Sequence, residues 1–240
     1  MDNTRLSLVE HLTELRRAII AALAALAAAT AAGYFMAPAF FAALKSVLPG
    51  VQMVFFGPLD GFYLQLRLAV TIGLILSFPV TVASAAWFVA PGLREGEKRL
   101  AVAAGVAATV MFAVGVSYAL FVVLPVVMVF LMSFSTTEMT PFIAAEEYLS
   151  FVLAFIIYGG LVFQLPLFLF ILLKTDLIPP ALVSSQRKLL AAVLTGLTLF
   201  FSPGGDLTVQ LLLAVPIFLL FEGAVLLAKL VRGGRKSQKE

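Results

Sequence analysis

Four carboxylates stand among basic residues at the polar margins of an otherwise apolar chain. Glu10 and Glu14 lie in "VEHLTELRR" (9 to 17), and Glu95 and Glu97 in "GLREGEKR" (92 to 99). On a helix, Glu10 and Glu14 are four apart and share a face, with Arg17 three residues beyond Glu14. Two chemistries are open to such groups. They can pair with their own basic neighbours, which on an exposed face stabilises by only about 0 to 1 kcal/mol per pair. Alternatively they can grip an incoming arginine, because a carboxylate accepts two parallel N–H bonds from a guanidinium. Catalytic chemistry has little to build on. The only histidine, His11, has no His or Cys neighbour at metal-ligand spacing, and the chain has no cysteine. It also lacks His-Glu-x-x-His, Gly-x-Ser-x-Gly and a phosphate-binding glycine loop. No enzymatic activity, metal or cofactor is expected.

The elements that must position these acids are membrane helices. The 240 residues are 62% hydrophobic, with a mean hydropathy of +1.09 and only 12% charged residues, against roughly 25% charged in soluble domains. A span needs roughly 20 apolar residues to cross about 30 Å of hydrocarbon. Six are read, at 17–36, 62–89, 100–130, 149–173, 189–202 and 207–228. The first resembles a signal peptide, but its apolar run of about 19 residues exceeds the usual signal core of about 7 to 15, so it is expected to stay. The fold class expected is an all-α polytopic membrane protein of six kinked transmembrane helices with a concave body and short fifth and sixth helices. The prolines inside apolar runs, Pro79, Pro125, Pro166 and Pro216, are the reason to expect kinks. The whole chain, 1–240, is read as one membrane domain: an amino-terminal segment over 1–16, the membrane region over 17–230 and a basic tail over 231–240.

Orientation follows from charge. With six spans, 14 of the 16 basic residues fall on the side that holds both termini and the loops at 90–99 and 174–188. The positive-inside rule makes that side cytoplasmic. The pI near 9.3 is thereby explained without nucleic acid, since the basic residues mark the ends of apolar runs. Arg67, near the start of the second span, is expected to snorkel to the outer interface. Two polar residues fall at or near membrane depth. Gln164 is either a docking or translocation site or an interhelical hydrogen bond that fixes packing, and Glu222 is either such a site or an interfacial residue.

"HLTELRR" (11–17), "WFVAPGLREGEKRL" (87–100), "EYLSFV" (147–152) and "SPGGDLTVQ" (202–210) resemble the TatC family, the C subunit of the twin-arginine protein translocase. The resemblance covers about residues 6 to 230. It implies that the acids receive the paired arginines of signal peptides on folded precursor proteins, with Glu14 and Glu97 making the guanidinium contact. Leu15 and Phe88 would line the apolar approach, and His11, Arg16, Arg17 and Arg99 would shape the site. Gln164, Asp206, Gln210 and Glu222 would form the surface for single-span A and B type subunits. Gln164 stands where many members carry a buried glutamate, and an amide cannot titrate there. The resemblance also implies a bacterial inner membrane, embedding in membrane lipid, a homo-oligomer within a larger complex, and export driven by the protonmotive force. The rival class is a secondary transporter or ion channel, which calls for inverted repeats and converging intramembrane charges. Neither is visible between 1–120 and 121–240.

Overall fold

The computed structural model describes residues 8–46, 53–90, 95–134, 143–175, 178, 192, 195–196 and 207–237, and at 8, 95–97, 208 and 228–237 it describes the backbone. The helices are α1 (Leu8–Ser46), α2 (Asp60–Val89), α3 (Glu95–Tyr118), a π-helical turn (Ala119–Val123), α4 (Leu124–Met132), α5 (Ala145–Val162), α6 (Gln164–Lys174) and α7 (Leu207–Ser237). Two-residue strands β1 (Met53–Val54) and β2 (Ile143–Ala144) pair in parallel, Met53 with Ile143 and Val54 with Ala144.

Five stretches among the described residues are long and apolar enough to cross a membrane: Val9–Ser46, Asp60–Val89, Lys98–Met132, Ala145–Lys174 and Val209–Leu227. Their outward apolar side chains, such as Phe35 at 83% exposure and Val129 at 71%, would be an extensive hydrophobic surface in water and are suited to lipid. These match five of the six expected spans. The sixth, at 189–202, lies almost entirely outside the described residues. Both end helices are longer than expected. α1 continues through Pro38 to Ser46, and α7 continues past its apolar stretch to Ser237, because straight-chain residues such as Leu227, Lys229 and Lys236 sustain a helix outside lipid.

The chain divides into two compact units. The first comprises Met1–Val110 with Pro141–Ile157. In it α1 packs along α2 at close range because glycine removes the side chains in between. A Cβ at Gly33 would lie 2.6 Å from the Ala69 carbonyl oxygen, and one at Gly73 would lie 2.8 Å from the Thr30 Cα. Leu64, Leu68, Ala69 and Ile72 form the buried stripe of α2, at the spacing of one helix face. Asp60 fixes the start of α2 by accepting bonds from the Phe56 and Gly57 N–H groups at 2.9 and 2.7 Å. The Tyr148 hydroxyl donates to the Leu44 carbonyl at 3.2 Å. Arg67 does not simply snorkel. Its guanidinium donates to Glu146 Oε1 at 3.2 Å and to Ser150 Oγ, so it ties α2 to α5. Carboxylate and hydroxyl acceptors on α5 offer the cation partners that a lone span does not have.

The second unit comprises Met111–Thr140 with Tyr158–Glu240. Its helix irregularities are consequences of proline. Pro125 has no N–H for the carbonyl four residues back, and the helix before it widens to an i→i+5 turn, with the Leu124 N–H bonding the Ala119 carbonyl. Pro166 likewise leaves Val162 without its bond, and α5 ends at Val162. Pro216 orphans the carbonyl of Leu212 in α7. There the repair comes from another element, as the Tyr118 hydroxyl donates to that same carbonyl at 2.6 Å. Leu169 and Leu173 of α6 pack on Val225 of α7 as the local core.

This repair predicts a coupled effect. Tyr118→Phe lowers unfolding stability in detergent by about 0.6 kcal/mol, up to about 1.7, the range for intramembrane hydrogen bonds. In a Pro216→Ala background the loss shrinks, because the alanine N–H now serves Leu212. A loss of equal size in both backgrounds contradicts the assignment.

Candidate functional site

The amino-terminal acids are placed by α1, which already begins at Leu8 and so carries Glu10 to Arg17 as helix. Glu14, Arg17, Ala18 and Ala21 recur at the i, i+3, i+4 and i+7 spacing that forms one face of a helix. With Ser84, Trp87 and Phe88 of α2, these residues line a cavity of about 270 Å³. Alanines at 18 and 21 leave the space that larger side chains would fill. The His11 ring stacks on Phe88, with centroids 4.5 Å apart and planes at 25°.

The electrostatics of this cavity centre on one atom. Glu14 Oε2 is buried and has no hydrogen-bond partner among the described residues. An unpaired buried carboxylate oxygen loses hydration without compensation, which costs on the order of 1 to 3 kcal/mol or more for a charged group. A charged N–H donor entering the cavity would remove that cost and add a charge-assisted bond. The apolar and aromatic walls would strengthen such a bond by lowering the local dielectric.

The expected site residues separate into three groups. Glu14, Arg17 and Phe88 line the cavity, and His11 stacks on its wall. Leu15 is half-buried, Arg16 is exposed, and neither lines it. Glu97 and Arg99 are in the first turns of α3, Arg99 exposed, while the position of the Glu97 carboxyl group lies outside the described residues. Of the expected docking residues, Gln164 opens α6 and donates from Nε2 to the Gly160 carbonyl at 3.4 Å. Gln210 and Glu222 are half-buried on α7, and their separation of twelve residues is about 18 Å of helix, so they are not one contact point. Asp206 lies outside the described residues. Ser84 and Trp87 were missed by reasoning from carboxylates. The signal for Trp87 was in plain view: it is the only tryptophan in the chain, at the polar end of a span, where amphipathic rings gather.

Comparison with known proteins identifies the relatives of this chain. A family model described as Sec-independent protein translocase protein (TatC) matches residues 10–216. The chain is similar to the Sec-independent protein translocase protein TatC of Carboxydothermus hydrogenoformans, 31% identical over 97% of this chain and 96% of that one. It is also similar to the TatC protein of Aquifex aeolicus, 28% identical over 95% and 97%. Among solved structures, a crystal structure of the twin arginine translocase receptor TatC superposes with a TM-score of 0.76 at 28% identity, covering 92% of this chain and 99% of that one. A helical membrane fold, a family model spanning most of the length and near-complete alignment to such relatives establish that this chain belongs to the TatC family of protein translocase components.

Proposed function

We propose that this chain is the receptor of a twin-arginine translocase, binding the paired arginines of signal peptides on folded precursor proteins. The observation that carries the reading is the Glu14 carboxylate, one oxygen unpartnered among the described residues in a cavity walled by Trp87 and Phe88. A guanidinium suits it for two reasons. It is permanently charged and weakly hydrated, and its planar fork matches a carboxylate. Glu97 supplies the second carboxylate, one for each arginine of the pair. Arg17, on the rim of the same cavity, disfavours stray cations and leaves entry to a ligand that brings more than charge. The description of a similar solved chain as a receptor supports the same role.

Around this site the whole chain acts as one membrane domain in the inner membrane of a bacterium, with both termini in the cytoplasm, where the basic residues concentrate. Single-span A and B type subunits dock on the surface that carries Gln164, Asp206, Gln210 and Glu222, within a larger complex holding several copies of this chain, and the protonmotive force drives export. Gln164 acts there as a hydrogen-bonding group and not as a proton carrier, since an amide does not titrate.

Two outcomes are expected. Glu97→Lys abolishes site-specific photocrosslinking to a twin-arginine signal peptide in membranes, and Glu14→Gln weakens peptide binding roughly tenfold or more, the size of a lost charged hydrogen bond. Undiminished crosslinking and affinity would remove the receptor assignment. A photoreactive residue at 164 crosslinks an A or B type subunit, and Gln164→Leu weakens that association roughly threefold to fifteenfold. Unchanged association places the docking surface elsewhere.

A further inference from the structure

A second cavity, of about 500 Å³, lies between α2 and α3. Along α3 it is lined by Lys98, Ala101, Val102, Gly105, Val106 and Thr109, the i, i+3, i+4, i+7, i+8 and i+11 positions of one stripe. Along α2 it is lined by Pro79, Ala83, Ala86, Trp87 and Ala90, the same pattern on the facing helix. Small side chains on both helices keep it open. The Thr109 hydroxyl donates to the Gly105 carbonyl at 3.1 Å and is thereby occupied by its own helix. The groove is therefore apolar along its length, with one cation, Lys98, at one end.

Its dimensions match one leaflet. Eleven residues of helix, from Lys98 to Thr109 or from Pro79 to Ala90, span about 16 Å, half of the roughly 30 Å of bilayer hydrocarbon. Because only residues 91–94 join α2 to α3, the two helices run in opposite directions and Ala90 lies at the Lys98 end. Exposed Arg99 adds a second positive charge beside that end. An apolar slot one leaflet deep with a cation at its mouth has the complementary shape and charge of an amphiphile with an anionic head. The apolar segment of a signal peptide is the competing occupant, but it brings no anion to meet Lys98, whereas a phospholipid does.

We infer that this groove seats an acyl chain of an anionic phospholipid, with the lipid phosphate on Lys98. Trp87 lines the groove and is the only tryptophan, so no other indole contributes to the fluorescence that a lipid seated there would quench. The test reconstitutes the full chain in phosphatidylcholine vesicles containing a minor fraction of either phosphatidylglycerol or phosphatidylcholine with brominated acyl chains, which quench tryptophan on contact. The apparent affinity read from quenching is expected to favour brominated phosphatidylglycerol roughly fivefold, the effect of one lysine near a membrane surface. Lys98→Gln is expected to remove that preference without threatening the fold, since the side chain is exposed. Gly105→Val is expected to reduce quenching by both lipids. It has room, as a Cβ at Gly105 meets only Val82 Cγ1, at 3.6 Å. Equal quenching by the two lipids in the unaltered chain overturns the proposal, as does a preference that survives Lys98→Gln. None of these readouts involves precursor export, so failure here is distinct from failure of the receptor reading.

Discussion

Hydrocarbon offers no hydrogen-bond partner, so every polar group held away from water in this chain must find one inside the protein or remain as a cost. The spans obey this constraint down to single atoms. Pro125 is accommodated by a turn of wider pitch, Pro166 by ending one helix and starting another, and Pro216 by a tyrosine hydroxyl from another helix. Arg67 meets Glu146 and Ser150. Against that background of repaired groups, an oxygen of Glu14 left without a partner among the described residues is the departure that requires a cause. Local rules of this kind are broken where function needs them broken, and in the proposed receptor role an arriving guanidinium supplies the missing donor.

Trp87 lines both cavities, so one indole forms part of the wall of a cavity that holds the Glu14 carboxylate and of one that holds the Lys98 ammonium. In the two proposals, a carboxylate on the α1 side receives a cation and a lysine on the α3 side receives an anion. The stagger of the lining residues on α2 explains how one helix serves both: Ser84, Trp87 and Phe88 face one cavity, while Ala83, Ala86, Trp87 and Ala90 face the other. Glu97 and Lys98 are also consecutive backbone positions of α3, about 100° of helix rotation apart, so a single turn carries both an acid and a base. The mixed charge of "GLREGEKR" is thereby compatible with two ligands of opposite sign.

Helix positions were legible in the sequence because apolar length is a strong local signal, and five of the six expected spans lie on helices of the described residues. The helix ends were less so. α1 and α7 run on beyond their apolar stretches, where hydropathy stops but the hydrogen-bond ladder does not. The pairing of Arg67 with Glu146 was invisible for a different reason: the two are 79 residues apart, and no local pattern reports a contact of that range. Pro38 went unweighed because it lies beyond the expected end of the first span. The carboxylate Glu14 was legible as unusual, but its cavity was not, since the alanines at 18 and 21 that make room for a ligand resemble ordinary span residues.

The central claim is that Glu14 grips a guanidinium by its geometry and not by charge alone. The direct measurement is a double-mutant cycle across the two molecules: signal-peptide binding with the paired arginines kept or replaced by lysines, to the unaltered chain and to Glu14→Gln. The account predicts strong coupling, in which the arginine-to-lysine change costs roughly tenfold on the unaltered chain and much less on the variant. Equal losses on both chains would contradict it, because Glu14 would then be indifferent to what the arginine offers.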